Sequence, residues 1–162
     1  MKKEIRLLTY DEALEKLRHF CAYQERSRAQ VVRKMKNLSV DAEFHENLLA
    51  ALVEEKFLDQ QRYAAAYARG KSRIKGWGIR KISSNLKFEL GDDFQSDLVN
   101  ESTDLEKARQ KLRRDLEKKA ILLTQKQDPN KKSKLLRFCL SRGFEMEESL
   151  EMIKKMSSGG IL

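Results

Sequence analysis

With 162 residues, 36% of them charged, one proline and seven glycines, the chain is long enough to bury a core and has few breaks, which favours long amphipathic helices over strands. Its net charge of +9 and pI near 9.6 suit a polyanionic partner such as nucleic acid, anionic lipid or an acidic protein surface. No apolar segment approaches the ~20 residues of a membrane span. MKKEIRLLTY is too poor in apolar residues for a signal peptide, and Cys21 and Cys139 lack metal-ligand spacing, so the expectation is a cytoplasmic protein with buried thiols.

In chain order, residues 1–8 form a lead. Thr9 to Glu12 reads as a capping box, opening a helix whose apolar side is Ala13, Leu14, Leu17, Phe20 and Cys21. Ser27 to Gln30 is a second box, ahead of Val31 and Met35 at i, i+4. Asp41 is expected to cap a third helix, buried through Phe44, Leu48, Leu49 and Leu52 and running out near Lys56.

Asp59 to Leu86 is the stretch around which the chain is organised. Asp59 is a natural N-cap, and Tyr63, Tyr67, Gly70 and Ile74 then fall on one helical face, which predicts all four on the apolar side. Arg62, Arg69 and Arg73 make a second stripe ~100° round from it. Gly76 and Gly78 bracket Trp77, so the loop can take positive φ on either side of the ring. Ile79, Ile82, Leu86 and Leu90 restart an apolar stripe, with Arg80 and Lys87 to one side.

Gly91 is a C′ candidate, and Asp92 and Asp93 suit the positive end of a short helix containing Phe94, Leu98 and Val99. Thr103 to Glu106 reads as a third capping box for a long helix with Ala108, Leu112, Leu116 and Leu123. Asp128-Pro129 signals the next helix, with Leu136 and Leu140, which ends at Gly143. A last helix carries Met146, Leu150 and Ile153, and residues 157–162 are expected as a disordered tail.

That makes nine helices in three sets, because Val31/Met35, Ile82/Leu86 and Leu136/Leu140 repeat one i, i+4 pair at intervals of about 50 residues. The expected fold is all-α, an elongated tandem array of three three-helix (helix-turn-helix-like) repeats over 9–58, 59–102 and 103–156. The alternative is a compact irregular bundle.

Charge is blocked along the chain: net +6 over 59–90, −6 over 91–106 and +10 over 107–142. The candidate binding residues follow those blocks. Arg62, Arg69, Lys71, Arg73, Lys75, Arg80, Lys81 and Lys87 form a middle set around Trp77, and Lys131, Lys132, Lys134, Arg137 and Arg142 continue it. Any one of these cations alone is an ordinary solvated helix residue; the set, opposed across 59–90 only by Asp59 and Glu89, favours binding. Trp77 is either a contact residue or a plug between repeats. His19 and His45 share no motif, there is no phosphate-cradling loop, and neither cofactor nor metal is implied, so the protein is expected not to be an enzyme.

The segments FLDQQRYA (57–64), KGWG (75–78) and RFCLSRGF (137–144), in this order and spacing, resemble the RecX family over roughly residues 10–156. The resemblance implies three three-helix repeats and a bacterial regulator that lies in the groove of the RecA–DNA filament and inhibits its ATPase and strand exchange, with single- or double-stranded DNA as a weaker or indirect partner. In place of the family's second acidic residue after Phe-Leu stands Gln60, which puts in doubt any contact that acid makes. A monomer with no membrane partner is expected. The rival is an autonomous helix-turn-helix DNA-binding protein.

Overall fold

The computed structural model describes residues 7–160, and every regular element among them is helical: α1 (Tyr10–Tyr23), α2 (Arg28–Asn37), α3 (His45–Glu54), α4 (Gln60–Gly70), α5 (Ile79–Leu90), α6 (Ser96–Ser102), α7 (Leu105–Gln125), α8 (Lys131–Ser141) and α9 (Met146–Ser158). Residues 1–6 of the expected lead and residues 161 and 162 of the expected tail lie outside the described set. The chain divides into two compact units, Met1–Tyr63 with Glu89–Phe94, and Ala64–Phe88 with Gln95–Leu162.

In the first unit the local signals act as read. Thr9 Oγ1 accepts from Glu12 N (3.3 Å) while Glu12 Oε2 accepts from Thr9 N (3.0 Å), and Ser27 and Gln30 reciprocate in the same way. These caps hold α1 and α2 so that Leu14, Leu17, Val31 and Met35 meet Leu48, Leu49 and Leu52 of α3 in one core. Each such side chain contributes ~1.5–3 kcal/mol by leaving water. Asp41 caps a single 3₁₀ turn, Ala42–Phe44, and α3 starts only at His45. The reason is local: Asp41 Oδ1 takes the N–H of Glu43, two residues on (3.1 Å), which tightens the first turn. α3 stops at Glu54, and Lys56 turns the chain at φ +62°. Asp59 caps α4 as expected, accepting from Gln61 N and Arg62 N at 2.9 Å each. Gly91 has the expected positive φ. Asp92 and Asp93, however, form a 3₁₀ turn with Gly91, and Phe94 lies outside α6.

The second unit packs α7, α8 and α9 around Ala108, Leu112, Leu116, Leu135, Cys139 and Phe144. Here four readings need correction. The α7 cap is Asp104, whose Oδ1 accepts from Lys107 N (3.1 Å), rather than Thr103, because Thr103 is buried with its hydroxyl donating to Val99 O (2.6 Å). The buried pair of α8 is Leu135/Cys139, one residue before Leu136/Leu140, and α8 begins at Lys131 behind Asn130 and not at Asp128-Pro129. Met146 and Leu150 stay half exposed, at 49% and 50%, leaving Ile153 and Met156 to bury α9. Finally, α9 continues through Ser158, so Ser157 and Ser158 belong to a helix and not to a disordered tail; their hydroxyls bond back to Ile153 O and Lys154 O. The pairs Val31/Met35 and Ile82/Leu86 are fully buried, as the spacing predicts.

Candidate nucleic-acid and protein interface

The residues that carry the basic middle stretch are shaped by one irregular turn. After Gly70 the chain widens into a π-helical turn, Lys71–Lys75, closed by Gly76 at φ +65°. Ser72 holds it: its buried hydroxyl donates to Ala68 O (2.8 Å) and accepts from Asp104 N (3.0 Å). A π turn rotates less per residue than an α turn, so the face that carries Tyr67 does not carry Ile74. Ile74 is 70% exposed, against its expected place on the apolar stripe. Tyr63 is buried and Tyr67 half-buried.

The two glycines around Trp77 do different jobs. Gly76 supplies the left-handed cap, and a Cβ there would also come within 2.7 Å of Lys111 Cγ. Gly78 has no positive φ; it is small because the backbone of Gly143 lies against it, so that a Cβ would stand 2.4 Å from Gly143 O. Gly78 N donates to Arg142 O (2.8 Å) across the same contact. Trp77 is thereby held half-buried, with Lys81 Nζ 4.4 Å and Lys71 Nζ 5.0 Å from its ring centre.

Within the second unit the structure gathers Lys71, Trp77, Lys81, Lys75 and Arg142. Arg142 Nη1 donates to Lys75 O (2.7 Å), its guanidinium lies 4.8 Å from the Phe138 ring, and Nη2 is 3.8 Å from Asp115 Oδ2. Lys81 Nζ donates to Ser141 O (2.9 Å). Several cations are thus tied to neighbours. Arg73 Nε donates to Asp104 Oδ2 (2.8 Å), Arg80 Nη1 to Glu145 Oε2 (3.1 Å), and Lys134 pairs with Asp128. The Lys107 amide first, and then Arg73, hold the Asp104 carboxyl below the usual carboxylate range; Lys134 does the same for Asp128. Arg69, Lys75, Lys87, Lys132 and Arg137 are exposed, and Lys131 is half-buried.

Arg62 belongs to the first unit. Its Nε donates to Glu25 Oε1 (2.9 Å) and its Nη2 to Lys56 O (2.9 Å), and the Glu25 bond raises its pKa further. It braces α4 to the segment after α1.

Sequence reading missed two features: an apolar-floored groove beside α5, and Phe88 on α5, 93% exposed. Phe88 was detectable, since it falls off the Ile82–Leu86–Leu90 stripe. The groove was not, because its far wall comes from residues 140–146. Among the described residues no cluster of His, Cys, Asp and Glu could hold a metal ion, and no helix is long and apolar enough to cross a membrane. Burial pushes the thiols of Cys21 and Cys139 up to about 11.

Residues 59–88, which hold the π turn and Trp77, match the family model "RecX, second three-helix domain". Two strains of Limosilactobacillus reuteri, DSM 20016 and JCM 1112, have a "Regulatory protein RecX" that is 27% identical over 95 residues. That match takes in 57% of this chain and 35% of each relative, so the chain aligns with about a third of the length of these relatives. The crystal structure of RecX from Lactobacillus salivarius superposes with a TM-score of 0.68 at 18% identity, covering 91% of this chain and 96% of that one. A second crystal structure, of a regulatory protein RecX, gives 0.69 at 23% identity over 90% and 73%. At these identities the structural likeness carries the all-helical fold.

Proposed function

We propose, from the premise that this chain belongs to the RecX family, that it is a regulatory protein which binds the RecA–DNA filament and inhibits ATPase and strand exchange. Its action is occupancy and not catalysis. The nine helices among the described residues, in three repeats bounded at 9–58, 59–102 and 103–156, present a basic contact surface that obstructs the motion of successive recombinase subunits and the entry of a second DNA strand. The observation that carries this reading is the segment 59–88 itself, where the family match, the exposed cations Arg69 and Lys75, and the half-buried Trp77 coincide.

A RecA ATPase assay on single-stranded DNA tests it. Addition of the protein should lower turnover, and Arg69→Glu with Lys75→Glu should relieve that inhibition without lowering the melting temperature. Arg73 is left intact because it pairs with Asp104. Unchanged ATPase at saturating protein would overturn the reading.

The second reading, an autonomous DNA-binding protein, is favoured by the same exposed cations. Trp77 emission separates the two: a filament contact changes it well beyond equal naked DNA, whereas a DNA binder gives equal changes that vanish together as salt rises. In that case each lost phosphate contact lowers the slope of log K on log salt by roughly 0.7–0.9.

A further inference from the structure

The groove beside α5, about 460 Å³, has two chemically different walls. Arg80, Lys81, Ser84 and Asn85 of α5 make a polar wall of hydrogen-bond donors. Leu140 at the end of α8, Phe144 in the turn after it and Met146 at the start of α9 make the floor and the apolar wall. Past the groove each helix carries a further exposed apolar residue: Leu150 lies one turn beyond Met146 on α9, and Phe88 two turns beyond Arg80 on α5. None of Met146, Leu150 and Phe88 is needed to close the core of the unit, whose buried residues lie elsewhere on α5 and α9.

We infer that this groove docks an amphipathic helical segment of a protein partner that carries carboxylates along one edge. The inference rests on the filament reading above and names the chemistry of the contact. Apolar side chains at i, i+3 and i+4 of the segment enter over Leu140 and Met146, and its carboxylates meet Arg80 and Lys81. The protein already shows what α5 accepts: Glu145 Oε2 sits 3.1 Å from Arg80 Nη1, an exposed pair that leaves the other guanidinium donors open. Lys81 gives one of its three N–H groups to Ser141 O. A phosphodiester strand fits worse, since it has no apolar face for Leu140 and Met146.

The experiment uses the full chain and two probes, the RecA filament on single-stranded DNA and a single-stranded oligonucleotide alone. Met146→Glu puts a charge in the apolar wall, and at the first position of α9 a carboxylate is favoured by the helix dipole, so the fold is kept. Ser84→Trp fills the groove from an exposed position on the opposite wall. Both variants should weaken filament binding about tenfold or more, the effect of a central interface residue, with Met146→Leu restoring it and oligonucleotide binding unchanged. Parallel loss of filament and oligonucleotide binding would make this a nucleic-acid groove and overturn the inference. Unchanged filament binding overturns it too, and the Arg69/Lys75 variant then tells the two failures apart: if that variant loses binding the filament reading stands, and if it does not, both fall.

Discussion

Ser27 before α2 and Gly78 before α5 stand at equivalent points of their sets, four residues ahead of the buried pairs Val31/Met35 and Ile82/Leu86, and the two helices begin differently. Ser27 is fully buried and caps α2 with its own hydroxyl, which accepts from Gln30 N (3.1 Å) and also donates to Glu89. Gly78 has no side chain to offer. Ile82 N still reaches its carbonyl (3.2 Å), but its own N–H goes to Arg142 O, and the missing Cβ leaves room for Gly143. One start is closed by a local hydrogen-bonded motif. The other is closed by a distant stretch of backbone, 65 residues away by the Arg80–Glu145 pairing beside it. A repeat position can therefore be kept while the physics that fills it changes from capping to close approach.

The largest effect expected is at Gly143. Alanine there must hold φ +89° and put a Cβ 2.5 Å from Lys81 N, combining left-handed strain with a backbone clash. Chemical denaturation of Gly143→Ala should show a loss of ~3 kcal/mol or more. Labelling of Cys139 by a thiol reagent should accelerate more than that of Cys21, both thiols being buried in the native protein. Gly78→Ala meets a backbone clash of its own, with Gly143 O at 2.4 Å, but without the positive φ, and should cost less, ~1–3 kcal/mol. Equal losses at the two glycines would show that close approach, not backbone conformation, sets the cost.

Ser27→Ala comes next. Removing the cap should cost ~1–2 kcal/mol by thermal melting, and Ser27→Gly only part of that, whereas any side chain at Gly78 destabilises. If Ser27→Ala is neutral, the proposed contrast between capping and close approach fails.

The smallest effect is electrostatic and concerns Asp104, whose pKa lies below its ordinary 3.8 because the Lys107 amide and Arg73 stabilise the anion. A depressed carboxylate pKa contributes stability above the unfolded value that is lost as pH falls through the folded one. Wild type should therefore lose this contribution below about pH 4, and Asp104→Asn should flatten that part of the acid limb in a pH series of melting temperatures. An unchanged acid limb in Asp104→Asn would remove Asp104 from the account.

Much of the fold was legible in the residues because its signals are local. Capping boxes at Thr9 and Ser27, the Asp59 cap and the period of Leu112 and Leu116 each need only a few neighbouring side chains to act. The errors fall where a second group competes for a local one. Thr103 has the sequence of a cap, yet its hydroxyl turns back to Val99 and Asp104 takes the role. Ile74 has the spacing of a core residue, yet Ser72, bonded to the Asp104 amide, widens the turn and leaves it in solvent.

The candidate site divides in the same way. Which residues are basic, that Trp77 sits between glycines, and that the middle stretch resembles RecX were all readable from the chain alone. Which cations remain available was not: Arg62, Arg73 and Lys134 are paired with carboxylates that sequence distance gives no means of choosing. The groove wall at Leu140, Phe144 and Met146 likewise exists only because Gly78 and Gly143 let two backbones touch. Helix formation depends on side chains three or four residues apart, so sequence determined it. Ion pairing and grooves depend on which surfaces meet, and only the tertiary packing decided that.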